Sequence, residues 1–191
     1  MKRVLSWLSA AIVAAGIAAS AHGQAVYLKV VPMESKRSDN YSYRGVYSGS
    51  FDKNVAREEA FNITVRNMTS ESYDYVVEWM FLSSPARGGG TATPFNVDEK
   101  KLTLDKGAST TVEVHSPKLA STHNFDSYGG STFTGSKFAG YVVRVKYNDR
   151  ILAVEASDVQ LKRKYQDPKV KWGIPEEGSS GSSGSKKTIV R

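Results

Sequence analysis

Residues 138–157 read FAGYVVRVKYNDRILAVEAS, and this stretch decides the fold. Apolar residues recur at every second position on both sides of Asn148-Asp149. That is the spacing of half-buried strands, not of helices. Asn and Asp both tolerate the positive φ of a type I′ turn, so the pattern predicts a two-residue hairpin. Pairing Tyr147 with Arg150 sets Val145 opposite Leu152, Val143 opposite Val154 and Tyr141 opposite Ala156 on one face. The other face receives Lys146/Ile151, Arg144/Ala153 and Val142/Glu155. A slip of one residue would mix the two sets. This register makes Arg144 and Glu155 diagonal neighbours that can pair.

Working outward, the same period predicts strands at 25–31, 60–67, 73–81, 99–104 and 109–115. In 60–67, Phe61, Ile63 and Val65 share a face. In 73–81, Tyr73, Tyr75, Val77, Trp79 and Phe81 share one face, and Asp74, Val76, Glu78 and Met80 take the other. Trp79 is expected between two sheets, facing residues such as Ile63 and Val143. No segment has a helical period longer than a turn or two. Seven strands of this kind predict an all-β, antiparallel two-sheet sandwich. The strand number, the aromatic third strand with Trp79 and the tight last hairpin resemble immunoglobulin-like and fibronectin type III-like domains. The resemblance is architectural. It implies a sandwich of about seven strands and, by itself, no activity.

The ends of the chain read differently. Lys2 and Arg3 precede an apolar run, 4–19, and Ala21-His22-Gly23 places small residues at the −3 and −1 positions of a cleavage site. This is the pattern of a secretory signal peptide over 1–23, so the mature chain is expected to begin near Gln24 and to be periplasmic or extracellular. The run is too short and too rich in Ala and Gly for a membrane span. The sandwich domain is assigned to 24–165 and a flexible basic tail to 166–191. In that tail Pro168, Gly173 and Pro175 interrupt regular structure, and 178–185 read GSSGSSGS. Of the formal charge of +7, the segment after Gln160 supplies eight Lys/Arg against three acidic residues, whereas 24–160 holds 16 of each sign. A nucleic-acid partner is not expected, because the positive charge is absent from the folded body. The tail can make a screened contact with an acidic surface. There is no cysteine, which excludes a disulfide, a cysteine-linked lipid anchor and a thiol nucleophile. Asn40, Asn62 and Asn67 begin N-x-S/T triplets.

If consecutive strands run antiparallel, connections alternate between the two ends of the sandwich. The second, fourth and sixth (68–72, 105–108 and 148–149) are short. The first, third and fifth (about 32–59, 83–98 and 116–137) are long. All long connections then fall at one end, where sandwich folds build binding surfaces. They carry Tyr41, Tyr43, Arg44, Tyr47, Phe125, Tyr128 and Phe133 among Ser, Asn and Gly, a composition suited to binding. The expected binding residues are Tyr43, Arg44, Tyr47, Tyr128 and Phe133. A second reading puts Tyr41, Tyr43 and Tyr47 on an extra edge strand.

Catalytic signals are weak. Only His115 and His123 lie beyond the signal segment. Ser116, Ser121, Ser127 and Asp126 are near them in sequence, without a G-x-S-x-G elbow. Two histidines plus Asp126 match no metal-ligand spacing. Glu58-Glu59 and Asp98-Glu99 point to opposite sides of an extended chain. Arg87-Gly88-Gly89-Gly90 is not a phosphate loop. The sequence is therefore read as an exported, non-catalytic binding module without cofactor. Its partner would be a protein, in interaction or cell-envelope assembly. The alternatives are a carbohydrate-binding module stacking sugars on tyrosines, or a hydrolase using one of the histidines.

Overall fold

The structure, a computed structural model, describes residues 25–44, 49–126 and 129–174. The expected signal segment, Tyr47, Tyr128 and residues 175–191 lie outside the described residues. The chain forms β1 (Val26–Pro32), β2 (Lys36–Tyr43), β3 (Phe51–Glu58), β4 (Ala60–Asn67) and β5 (Tyr73–Pro85). Then follow β6 (Thr93–Leu104), β7 (Ser109–His115), β8 (Leu119–Phe125), β9 (Ser131–Tyr147), β10 (Arg150–Ala156) and α1 (Val159–Gln166). β1-β4-β7 make one antiparallel sheet. The second runs β2-β3-β8-β9-β5-β6, with β10 on β9.

The seven strands read from sequence are the sandwich: β1-β4-β7 against β6-β5-β9-β10. Phe61, Ile63 and Val65 of β4 meet Tyr75, Val77, Trp79 and Phe81 of β5 and Val143 and Val145 of β9 in one buried core. Trp79 is buried there, as its phase on β5 predicts. Asn148 and Asp149 take φ of 47° and 61°, so the expected I′ turn is present, with Tyr147 opposite Arg150. The expected register holds through Ile151 and then shifts. A bulge at Leu152 sets Ala153 opposite Val145 and Val154 opposite Arg144. Leu152 and Ala153 both turn to the inter-sheet core, while Val154 joins the outer face. The extra residue reverses the phase of the rest of the strand, which strict alternation cannot anticipate.

Arg144 accordingly does not pair with Glu155. It forms a buried ion pair with Glu78 on the neighbouring β5. Lys146 Nζ lies 3.3 Å from the other Glu78 oxygen, and Glu155 pairs with Lys162 at 2.8 Å. The Trp172 ring covers the Arg144 guanidinium at 4.0 Å. This outer face carries Met80, Leu82, Val142 and Val154, and the C-terminal segment packs over it with Leu161, Tyr165, Val170 and Trp172. Asp158 starts α1 by accepting from the Gln160 and Leu161 amides. The packed chain thus continues to Trp172, past the domain edge drawn at residue 165.

The short-connection end is closed by Asn67, which is fully buried. Its amide nitrogen donates to the carbonyls of Glu71 and Leu104 at 2.7 and 2.9 Å. Its oxygen accepts from the Thr69 amide and the Tyr75 hydroxyl, each at 2.9 Å. One side chain thereby ties the β4–β5 turn to the β6–β7 turn. The triplet at Asn67 is a structural lock in the folded protein.

The long connections are strands. The first is the β2–β3 hairpin, the third is the extended end of the β5–β6 hairpin, and the fifth is β8 plus the start of β9. Together β2, β3, β8 and the first five residues of β9 form a four-stranded arm continuous with the larger sheet. Gly135 marks the joint, where β9 leaves β8 for β5. Its φ is +86°, and a Cβ there would sit 2.3 Å from the Ala120 carbonyl oxygen, so only glycine fits.

Candidate functional site

The arm has two unlike faces because its register runs without a break. Tyr43 pairs with Phe51, Phe51 with Phe125, Tyr41 with Lys53, Lys53 with His123, and His123 with Phe133. Cross-strand partners share a face, so these seven side chains line one side. The other side carries Ser42, Asp52, Asn54, Thr122, Asn124 and Thr132 by the same pairing. Asn54 and Thr122 hydrogen-bond there at 2.8 Å.

The aromatic side is continuous. Phe51 stacks on Phe125 with centroids 4.3 Å apart and planes at 17°. His123 stacks on Phe133 at 3.7 Å and 17°, and its ring also meets Phe125 at 3.6 Å. Tyr41 and Tyr43 flank Phe51 at 6.3 and 6.0 Å. Three of these rings project to solvent: Tyr43 is 79% exposed, Tyr41 48% and Phe133 43%. Large aromatic area held on a strand at small entropic cost is what binding surfaces use.

Charge on this side is arranged along β2. Arg37 grips Asp39 with two hydrogen bonds of 2.7 and 2.9 Å, and this contact holds the Asp39 carboxyl below its usual value. Lys53 Nζ lies 3.4 Å from Asp39 and 5.4 Å from the centre of the Tyr41 ring. Asp39 is thus shared by two cations, and the rings remain the dominant feature of this side.

Of the expected binding residues, Tyr43 and Phe133 lie on this one face, at its two sides. Tyr43 and Tyr41 are edge-strand residues, the second of the two readings. Tyr47 and Tyr128 are outside the described residues. Arg44 reaches toward the polar side of the arm. It clasps Asp52 through Nε and Nη2 at 2.9 and 2.8 Å, and Asp52 belongs to the polar side. Phe51, Lys53 and His123 were missed. The signal that finds them is the i, i+2 spacing of Tyr41/Tyr43, Phe51/Lys53 and His123/Phe125, which places each pair on one side of a strand.

The histidines do not converge. His123 is held between Phe125 and Phe133, and its Nε2 is buried without a hydrogen-bond partner among the described residues. His115, at the end of β7, has Nε2 2.8 Å from Glu113 and Nδ1 3.3 Å from Glu58. Among the described residues no group of three His, Cys, Asp or Glu is placed to hold a metal ion, and no helix is long and apolar enough to cross a membrane.

No family model matches the chain, and no curated protein matches it. Partial likeness to solved structures includes a protein from Akkermansia muciniphila at 9% identity and a TM-score of 0.29, covering 78% of each chain. A β-glucosidase from Kluyveromyces marxianus is 13% identical with a TM-score of 0.31, covering 69% of this chain and 14% of that one. An alkylpurine DNA glycosylase from Pseudomonas fluorescens, bound to DNA containing an abasic-site analogue, is 19% identical with a TM-score of 0.29, covering 52% of this chain and 24% of that one. This chain therefore spans a quarter or less of either enzyme. Likenesses at these TM-scores assign no family, substrate or partner.

Proposed function

We propose that this chain is an exported, non-catalytic module of immunoglobulin-like class that binds a protein partner at the cell envelope through the aromatic side of its arm. The observation that carries the reading is the continuous surface of Tyr41, Tyr43, Phe51, His123, Phe125 and Phe133 on a sheet standing outside the sandwich core. The immunoglobulin-like class draws support from β1-β4-β7 facing β6-β5-β9-β10, with the chain crossing repeatedly between sheets. Export draws support from the charged and apolar start of the sequence.

Ring geometry favours protein over sugar. A sugar stacks on an open ring face, but Phe51 and Phe125 cover one another, as do His123 and Phe133. Stacking closes one face of each of these rings to a sugar, while the pairs still offer apolar area to a partner chain. Tyr43, at 79% exposed, is the feature that keeps a carbohydrate as the second reading. The basic residues Lys186, Lys187 and Arg191 add a salt-sensitive contact to an acidic surface.

The test is capture of partners from the native envelope by the mature protein and by a Tyr43→Ser/Phe133→Ser variant. Loss of a captured protein by about tenfold or more supports the reading, since hot-spot aromatics are worth about 2 kcal/mol or more each. Retention of every captured protein by the folded variant overturns it. Binding to a glycan array that depends on Tyr43 moves the assignment to the carbohydrate reading.

A further inference from the structure

Among the described residues, the free edge of the arm is β2. All eight of its residues are exposed, and no residue of β3 or β8 is buried. This strand is held by backbone pairing and surface contacts alone. Its other backbone edge presents donors and acceptors that a further strand can take. The β2–β3 and β3–β8 ladders show no register shift, so the edge is straight. The edge strand β6, by contrast, contains Pro94 and pairs with β5 through a register shift, both of which blunt an edge.

The outward groups can be identified. The Arg44 amide donates to the Ser50 carbonyl at 3.0 Å, which makes this a hydrogen-bonded pair of the antiparallel ladder. Alternate residues, Ser42, Asn40, Ser38 and Lys36, then bond to β3. Arg37, Asp39, Tyr41 and Tyr43 turn their N–H and C=O to the free edge. Any added antiparallel strand must bond to these four.

A second β2 can do so in few ways. With Asp39 opposite Asp39 of the other copy, like charges face each other directly. With Tyr41 opposite Tyr41, Arg37 passes beyond the end of the partner strand. With Asn40 opposite Asn40, all four outward residues of both copies are used. Arg37 then faces Tyr43 of the other copy, a cation against a ring. Asp39 faces Tyr41, a carboxylate against a phenol. On the polar side Asn40 meets Asn40 and Ser38 meets Ser42, pairs that hydrogen-bond across strands. The Asp39 carboxylates lie on the diagonal, each already neutralised by its own Arg37 and Lys53.

We infer that β2 pairs antiparallel with β2 of a second copy of this chain, about a two-fold axis at Asn40, joining two arms into one eight-stranded sheet. The axis is normal to the sheet, so the two aromatic sides become one surface. The pairing uses the edge of the arm, sets Tyr41 and Tyr43 along the seam and leaves Phe133, on the far side of the arm, uncovered. It does not rest on the partner reading above.

The test uses the absence of cysteine in the chain. At the axis Asn40 is a non-hydrogen-bonded pair, with Cα atoms about 4.5 Å apart, a separation a disulfide can bridge. Mature Asn40→Cys protein, oxidised mildly, is expected to form a disulfide-linked dimer at least about tenfold faster than Ser42→Cys, whose counterpart is Ser38. Sedimentation of the unmodified protein should show reversible dimerisation. Asp39→Pro removes an outward N–H without touching the β2–β3 bonds, and should weaken it at least about tenfold. If that variant disorders the arm, the cross-linking comparison still decides. A protein that stays monomeric up to about 1 mM overturns the inference. So does a dimer that Asn40→Cys does not lock, which runs through another surface. Either result, with envelope capture still dependent on Tyr43 and Phe133, leaves the partner reading standing.

Discussion

β4 in the sandwich buries Ala60, Phe61, Ile63, Val65 and Asn67, whereas β2 in the arm buries none of its eight residues. The two belong to the same molecule and the same strand geometry. In the sandwich, β4 pairs with β1 and β7 without a register shift, whereas the ladders of β5, β6, β9 and β10 carry shifts. β9 shifts register against both β5 and β10, and β5 shifts against β6. The arm ladders run straight. A strand with a core to fill is held by packing, while a strand without one is held by its hydrogen bonds and surface contacts. The first kind stabilises the fold. The second leaves area and backbone free for a partner.

The comparison can be broken most forcefully at Trp79. Replacing it with Ala should cost about 3–5 kcal/mol, the scale of large aromatic truncations in packed cores. Denaturant melts of the mature protein read this directly. A loss below about 1 kcal/mol would mean that the sandwich is not held by the core described here.

Asn67→Ala should cost roughly 3 kcal/mol. It strips the Tyr75 hydroxyl of its partner and leaves the carbonyls of Glu71 and Leu104 short of a donor. Burial holds the Tyr75 phenol above its usual value, so that hydroxyl is a proton donor through neutral pH. The same melts measure the cost, and a Thr69→Val variant should show a smaller part of it, since Thr69 also donates to Asn67.

Gly135→Ala sharpens the difference between the regions. Forcing a side chain to φ near +86° against the Ala120 carbonyl should cost about 1–3 kcal/mol. The loss should be felt in the arm. Hydrogen exchange of β2, β3 and β8 amides should speed up while β4 and β5 amides keep their protection. Equal acceleration in both regions would show that arm and sandwich unfold as one unit.

The smallest stability effect is expected from Tyr43→Ser/Phe133→Ser, within about 0.5 kcal/mol for each exposed side chain. The same variant carries the large loss of partner capture. A substitution that is silent in melts and severe in binding is the signature of a surface built for a partner.

Alternation was legible in strands with a buried face, up to the bulge at Leu152 in β10. β4 and β7 run over the residues read from sequence, and the phase of β5 and the I′ turn at Asn148-Asp149 were correct for the same reason. β3 and β8 were invisible to it, and β2 entered only through the edge-strand reading of Tyr41 and Tyr43. KRSDNYSY, FDKNVARE and LASTHNF carry no apolar-against-polar contrast, because neither face is sealed from water and nothing selects a hydrophobic set. The aromatic side was legible in part. Tyr43 and Phe133 were singled out by composition, but Phe51, Lys53 and His123 join them only through cross-strand register.

The sequence by itself determined the seven strands of the sandwich, the core-facing residues of β4 and β5 and the tight turn, because each follows from local period and local backbone preference. Tertiary structure alone decided the bulge at Leu152, the pairing of Arg144 with Glu78, the burial of Asn67 and the assembly of the arm. Each of these depends on what lies opposite a residue across a sheet, from segments distant in the chain. A one-dimensional period holds no record of which strand becomes the neighbour.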